Sequence, residues 1–332
     1  MTYGATYGTD YTSNYGHGVG DGPILVSIAV TVGAEGSPVA RLADSTKQFT
    51  ATGTYDDSSE ADITGDVDWT SDTGATATIN VATGLSTLVA VGTTLITATL
   101  GAIEGTATLR VVSIPTFVAV GSPDGQVGNI APTLPAHLAN DVFLLICETD
   151  ASGAIAAPSG GWAEVENSPQ TDFTPTGTTL GVFWLRAASD SEPGPSVLDA
   201  GNHCYGVVGS FRGCVESGDP WDVTAGGATA GTSSSIIIPG ATTTVADCLI
   251  AATMSHGSDI DGPRVSGFAN ADLGSVTEQF DNCTIMGNGG GVAFATGTKA
   301  AAGAYGNTTG TLASAYYQAW LSVALKPVVT NC

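Results

Sequence analysis

The chain has 332 residues, of which 42% are hydrophobic and only 12% are charged, and this composition is typical of an ordered globular protein with about two domains. Its net charge of -23 comes from 31 acidic residues and 8 basic ones, so the surface repels phosphate, which argues against binding to nucleic acid or to an anionic membrane. The 45 glycines, with abundant Thr, Val and Ala, favour many short strands joined by tight turns, so we predict an all-β protein.

Residues 1–22 are rich in glycine and tyrosine and precede the first strand pattern. The tyrosines recur at a spacing that would suit a helix, but the glycines between them disfavour one, so an extended arm is predicted. Tyrosine buries a large area at small entropic cost, and we predict that the arm docks onto a neighbouring subunit through Tyr3, Tyr7, Tyr11 and Tyr15. A loose leader is the alternative interpretation.

Two patterns bear on the location of the protein. The segment 1–22 lacks the basic and apolar regions of a signal peptide. No apolar run reaches the ~18 residues that a membrane-spanning helix needs. We therefore expect the protein to fold in a host cytoplasm and to reach its destination by assembly, with export by a dedicated secretion system as the alternative.

Residues 23–113 alternate apolar and polar residues in short runs separated by turns. In the run 48–55, Phe49, Ala51, Gly53 and Tyr55 fall on one face, which is typical of a half-buried strand. Several such runs follow one another, with a turn after about every 8–12 residues. This pattern predicts an Ig-like β-sandwich.

The same residues resemble the bacterial immunoglobulin-like domain of group 2. The resemblance covers residues 24–112 and rests on several segments in the expected order, namely residues 48–57, 63–64, Trp69, 77–79, 84–85, 91–93, 96–98 and 105–112. It implies an Ig-like module of the kind used in bacterial surface adhesins and often added to the structural proteins of tailed phages.

Residues 114–327 contain at least eight apolar runs with connections rich in Gly, Pro and Asp, and residues 328–332 are a short tail. In the last run every second residue faces one way, which indicates a strand; these residues are Tyr317, Ala319, Leu321, Val323 and Leu325. The runs predict a second, larger β-sandwich that is jelly-roll-like. The fold class is therefore an Ig-like β-sandwich plus a larger jelly-roll-like β-sandwich, with an extended N-terminal arm.

Three segments of this second region are similar to a β-rich module of phage virion proteins. Residues 134–145, 158–162 and 210–213 resemble the patterns LPxGLxxGDLLLL, PxGW and FRG, with one residue fewer before Asp141 and one more between Pro158 and Trp162. His137 and Asn140 stand where the first pattern has glycine. The resemblance implies a virion structural role.

The sequence contains no catalytic signature of established spacing. Ser255, His256 and Asp259 place a hydroxyl, an imidazole and a carboxylate close in sequence, but triads assemble in space, so we predict a polar loop there. Asp residues gather at 56–62 and 259–262 as they do in calcium sites, yet without EF-hand spacing, so solvated turn acids are predicted and no metal or cofactor is expected.

Glu164 and Glu166 lie close to Trp162, as a glycosidase carboxylate pair would lie beside an aromatic ring that stacks on sugar. The alternative is a solvent-facing strand edge, and it is the favoured interpretation because nothing else in the sequence supports a site. Exposed aromatic side chains in loops would still allow binding of sugar without catalysis.

All six cysteines lie outside the Ig-like region, at positions 147, 204, 214, 248, 283 and 332. They show neither C-x-x-C pairs nor zinc-finger spacing. Cys147 and Cys248 lie in apolar runs and are predicted to be buried thiols. Cys204 and Cys214 are close enough in sequence to form a disulfide, and the sequence leaves the pairing open.

Together these patterns predict a non-enzymatic virion structural protein of a tailed phage, on the exterior of the particle, that decorates or projects from the capsid. Its expected partners are capsid or other virion proteins and further copies of itself. A tail-fibre or baseplate adhesin that binds a host surface glycan is the alternative. A depolymerase and a non-viral bacterial surface protein are further alternatives.

Overall fold

The computed structural model describes residues 22–32, 39–150, 155–172, 177–198 and 201–328. Within these ranges the chain forms 26 strands and one 3₁₀ turn at Leu42–Asp44, so the prediction of an all-β fold is confirmed. No helix in the described ranges is long and apolar enough to cross a membrane. The described residues divide into two compact units, the first made of 22–32, 46–87 and 94–109, and the second made of 39–45, 88–93 and 110–328.

The first nine strands form two sheets. Their bounds are β1 Leu25–Val32, β2 Val39–Arg41, β3 Thr46–Tyr55, β4 Glu60–Asp62, β5 Asp68–Ser71, β6 Ala77–Ile79, β7 Leu85–Leu88, β8 Gly92–Leu100 and β9 Ile103–Val112. One sheet has the order β1-β3-β7-β6 with β4 beside β3, and the other has the order β2-β9-β8-β5. Phe49 of β3 and Trp69 of β5 pack together with ring centroids 6.3 Å apart. Phe49 and Ala51 are fully buried, as the alternation in β3 predicts.

The next seven strands form one sheet. Their bounds are β10 Thr116–Val120, β11 Asp124–Gln126, β12 Val142–Asp150, β13 Ala163–Glu164, β14 Gln170–Thr171, β15 Thr178–Arg186 and β16 Cys204–Arg212. The sheet order is β10-β16-β12-β15-β13, with β11 beside β16 and β14 beside β15. Every neighbouring pair in this sheet is antiparallel.

The remaining ten strands form three further sheets. Their bounds are β17 Trp221–Ala228, β18 Ser233–Ile238, β19 Ala241–Thr243, β20 Cys248–His256, β21 Val265–Ala269, β22 Gly274–Thr284, β23 Gly290–Lys299, β24 Gly303–Tyr305, β25 Thr308–Tyr316 and β26 Gln318–Leu325. The largest has the order β17-β26-β20-β23-β22. The others are a three-stranded sheet, β18-β25-β21, and a pair, β19-β24.

The two large sheets of the second unit share one topology. If β10, β12, β13, β15 and β16 are numbered one to five along the chain, their order in the sheet is 1-5-2-4-3. Strands β17, β20, β22, β23 and β26, numbered in the same way, give the same order. Two successive parts of the chain therefore build sheets of identical connectivity.

The main core of the second unit lies between these two sheets. One large group of buried side chains draws on both, including Leu144, Val182, Val207, Ala251, Phe294 and Leu321. The outer face of each large sheet is covered as well, by loop residues such as Ile130 and Trp162 on one side and by the β18-β25-β21 sheet on the other. Strands covered on both faces have continuous apolar runs instead of alternation, as in β12 and β20.

The prediction for the last apolar run is confirmed for four of its five residues. Ala319, Leu321, Val323 and Leu325 of β26 all belong to the core between the sheets. Tyr317 lies just before the strand and is half-buried.

Candidate functional site

A group of polar side chains lies at one end of the core between the two large sheets. Glu148 is in β12, Thr178 begins β15, His203 precedes β16, and Ser255 is in β20. Each is at most 2% exposed. Because apolar residues fill the rest of this core, the four side chains must satisfy one another.

The four side chains form one hydrogen-bonded chain. His203 Nε2 lies 2.9 Å from Glu148 Oε2, and Thr178 Oγ1 lies 2.9 Å from Glu148 Oε1. Thr178 Oγ1 is also 2.9 Å from Ser255 Oγ. A Cβ atom at Gly290 would collide with both Glu148 and His203, so only glycine fits at the start of β23.

Burial dominates the electrostatics of this end of the unit. Burial raises the pKa of Glu148, while the hydrogen bond and charge of His203 and the hydrogen bond of Thr178 oppose that rise. Burial, together with the nearby charge of Arg264, lowers the pKa of His256 to about 3. His256 is on the opposite face of β20 from Ser255, since successive strand residues point to opposite faces.

Ser255 and His256 are the last two residues of β20, so the prediction of a polar loop is wrong for both. His256 pairs through its backbone with Gly291 on one side and Gln318 on the other. Strand pairing, with burial of both side chains, outweighs the loop-like composition of this segment. Asp259 is exposed beyond the strand end.

In this arrangement the Ser255 hydroxyl contacts a second hydroxyl, that of Thr178. A serine nucleophile needs a base within hydrogen-bond reach and access for a substrate. Ser255 is fully buried. The arrangement can therefore hold the two sheets in register, which is a structural role.

The acidic turns of the Ig-like region bind their own backbone. Asp57 accepts hydrogen bonds from the Ser59 amide and hydroxyl, and Asp62 accepts one from the Thr64 amide. The Ser59 hydrogen bonds lower the pKa of Asp57. No three or more His, Cys, Asp or Glu side chains of the described ranges are grouped so that they could hold a metal ion.

Trp162 is buried in the loop layer that covers the first large sheet, and it stacks on Phe143 with ring centroids 6.3 Å apart. Its ring therefore has no free face on which a sugar could stack. Glu164 lies in the edge strand β13, and both Glu164 and Glu166 are exposed, which matches the favoured interpretation of a solvent-facing strand edge.

The five cysteines among the described residues are buried, and the disulfide that the sequence left open between Cys204 and Cys214 is not formed. Cys204 begins β16 and Cys214 follows its far end, so the two are separated by a strand roughly 30 Å long and form no disulfide. Cys147 and Cys248 are buried free thiols, as predicted. Burial raises the pKa of Cys214, Cys248 and Cys283 to about 12.

The structure brings together two of the segments on which the phage resemblance rests. Arg212 donates from Nε and Nη2 to the two carboxylate oxygens of Asp141, at 2.8 and 2.7 Å. Asn140 has φ 69°, a left-handed conformation that Asn tolerates best among residues other than Gly. His137 lies between the carbonyl of Pro135 and the amide of Glu192, from which its Nε2 accepts a hydrogen bond.

The predicted docking tyrosines of the arm lie outside the described residues; they are Tyr3, Tyr7, Tyr11 and Tyr15. Sequence reasoning missed the group around Glu148. The one signal available was an acidic residue near the end of an otherwise apolar strand.

Comparison with known families identifies the N-terminal sandwich. Residues 29–111 match the family model of the bacterial Ig-like domain (group 2). These residues are a bacterial Ig-like domain of group 2. The resemblance predicted over residues 24–112 is thereby confirmed for residues 29–111, which are about a quarter of the chain.

Known proteins resemble parts of the chain more distantly. Ice-binding protein 1 of Shewanella frigidimarina (strain NCIMB 400) is 28% identical over 156 residues, which are 46% of this chain and 17% of that protein. The crystal structure of the S-layer protein rSbsC(31-844) shares 12% identity, with 81% of this chain and 36% of that one covered and a TM-score of 0.25. The structure of domains 1–6 of the surface layer protein SbsC shares 11% identity, with 82% of this chain and 36% of that one covered and a TM-score of 0.26. TM-scores this low do not show a shared fold.

Proposed function

We propose that this chain is a non-enzymatic structural protein displayed on the exterior of a tailed-phage particle, where it decorates or projects from the capsid. The observation that carries the proposal is the Ig-like domain at residues 29–111 in series with a large, multilayered β-unit. The resemblance of residues 134–145, 158–162 and 210–213 to virion proteins supports the phage assignment.

Charge and multivalency support the same role. With a net charge of -23, copies at high density repel one another and remain soluble. Many weak docking contacts on one particle add up through effective concentration. In this proposal the tyrosines of the arm provide those contacts, because their large rings bury area at small entropic cost.

Immunogold labelling of purified particles, with the copy number from quantitative mass spectrometry, tests the proposal. Head labelling with many copies per particle is expected. Tail labelling with few copies would favour an adhesin that binds host glycan, and absence from purified particles would reject both. A variant with Tyr3, Tyr7, Tyr11 and Tyr15 changed to Ala should lose particle binding, whereas the matched Phe variant should retain it.

A second candidate function is binding of ice, which one regular surface of the Ig-like domain favours. Thr50, Thr52 and Thr54 alternate along β3, and the register places Thr31 beside Thr50 and Ser27 beside Thr54 on β1. Neighbouring hydroxyls are about 6.7 Å apart along a strand. Between the strands, the hydroxyls of Thr31 and Thr50 are 2.8 Å apart, and Ala29 lies opposite Thr52. Such a grid is suited to ordering water, and a relative of part of this chain is named an ice-binding protein.

Thermal hysteresis of the purified chain tests this second function. Ice binding predicts a measurable hysteresis that Thr52→Lys abolishes, since a long charged side chain breaks the grid at its centre. Thr108→Lys, at an exposed position on the other sheet, is the matched control. Absence of hysteresis in the unaltered protein would exclude the function.

A further inference from the structure

Residues 257–264 form a connecting segment that follows β20 and is fastened to β22. Cys283 Sγ donates to the carbonyl oxygens of Ile260 and Gly262, the latter at 3.0 Å. Asp281 Oδ2 accepts hydrogen bonds from the amides of Arg264 and Val265, at 2.6 and 2.5 Å. Two side chains of one strand therefore hold the segment at both its middle and its end.

The side chain of His256 is enclosed where this segment begins. It is fully buried, and neither ring nitrogen has a hydrogen-bond partner among the described residues. Ser258 Oγ is also buried without a partner in the described part of the chain. Polar atoms that are buried without hydrogen-bond partners cost free energy, so they destabilise this part of the fold.

The charge that acts on the His256 ring is that of a cation, Arg264. Next to the ring, β23 contributes Gly291 and β26 contributes Gln318, neither of which titrates. Asp281 accepts the two amides of the segment through Oδ2, and its Oδ1 is buried without a hydrogen-bond partner in the described part of the chain. From the third sheet, Tyr316 is the titratable residue packed against this face.

We propose that residues 257–264 form an acid-operated latch, which is closed while the His256 ring is neutral and opens when that ring takes up a proton. A buried imidazolium beside a guanidinium is unfavourable both through desolvation and through repulsion. Opening of the segment brings the ring into water and separates it from Arg264. The proposal concerns regulation of the fold and is independent of the functions proposed above.

Linkage gives the sign and the size of the effect. The pKa of His256 is about 3 in the closed form, against an ordinary value of 6.5. The closed form is therefore fully favoured above pH 6.5, and the equilibrium constant for closure falls about tenfold for each pH unit below that. Burial raises the pKa of Asp281 to about 6 from an ordinary 3.8, so its protonation favours closure below pH 6. At pH 4.5 protonation of His256 favours the open form by up to roughly 100-fold and protonation of Asp281 opposes it, so the effect of His256 is measured in a variant without the Asp281 carboxyl group.

The thiol of Cys283 reports opening, because the closed segment covers it. Labelling by a pyridyl disulfide, which reacts in acid, is followed for each cysteine by peptide mass spectrometry and normalised to the unfolded chain at each pH. Between pH 7 and pH 4.5 the Cys283 rate should rise by up to roughly 100-fold in Asp281→Asn, which keeps an oxygen for the two amides, and by much less in the unaltered protein. Cys214, at the far end of β16, should not change.

Two controls separate the latch from general unfolding. His256→Gln in the Asp281→Asn background should remove the pH dependence of Cys283 labelling. If that double variant fails to fold, amide hydrogen exchange of residues 257–264 in Asp281→Asn at pH 7 and pH 4.5, corrected for intrinsic exchange, replaces it. A constant Cys283 rate in Asp281→Asn, or Cys214 labelling that rises in parallel, would overturn the proposal.

Discussion

The hydroxyl of Thr178 lies 2.9 Å from the hydroxyl of Ser255, and this contact joins the two large sheets of the second unit. A threonine hydroxyl has a single proton, which the nearby carboxylate of Glu148 attracts most strongly. Thr178 then accepts the proton of Ser255. One buried carboxylate thus anchors hydroxyls from both sheets.

Thr178→Val should lower the free energy of unfolding by about 1–3 kcal/mol, because it leaves Glu148 and Ser255 buried without this partner. Thr178→Ser keeps the hydroxyl and should lower the free energy of unfolding by clearly less. Urea unfolding with an unchanged m value measures the difference. Equal stability of the Val and Ser variants would contradict a role for the hydroxyl.

Gly290→Ala should destabilise the second unit by about 1–3 kcal/mol, since the new methyl group would displace Glu148 and His203. Gly227→Ala, in the edge strand β17, is the matched control. A Cβ atom there would lie 3.6 Å from Pro239, an ordinary contact. Thermal unfolding of the two variants should therefore differ, with only Gly290→Ala showing a lower midpoint.

Two glycines of the Ig-like domain separate backbone strain from crowding. Gly84 and Gly101 have φ of 67° and 63°, so alanine is strained at both by about 1 kcal/mol. A Cβ atom at Gly84 would also lie 2.8 Å from the carbonyl oxygen of Phe49 and 2.9 Å from the ring of Trp69, whereas at Gly101 it would meet open space. Chemical denaturation should show a larger loss for Gly84→Ala, by about 1–3 kcal/mol.

The buried thiols should be unreactive in the folded protein at pH 8. Burial raises the pKa of Cys214 and Cys248 to about 12, so the reactive thiolate is scarce as well as inaccessible. An aromatic disulfide reagent should modify neither until urea unfolds the chain. Rapid modification of either thiol before unfolding would show that its end of the unit opens in solution.

The sequence predicts local strands well because the signals are local. The alternation in β3 places Phe49 and Ala51 inside, and that in β26 places Leu321 and Val323 inside, as found. Apolar runs reveal strands but not the sheet that each joins, since pairing depends on partners far away in the chain. The common order of the two large sheets was for this reason not predicted.

The group of polar side chains around Glu148 was harder to predict. Glu148 and His203 are 55 residues apart, and neither stands in a motif that points to the other. The same holds for Asp141 and Arg212, which lie in separate segments and meet only after β12 and β16 pair. Ser255 and His256 looked like loop residues because polar composition usually means exposure. In the fold, strand pairing buries both residues.

The repeated strand order of the two large sheets implies that the second unit behaves like a dimer fused into one chain. Each half presents an apolar face that only the other half covers. Either half expressed alone would aggregate through that face, whereas the two produced together as separate polypeptides should reassemble. Cutting the chain within 213–220, between β16 and β17, would yield such a complementing pair.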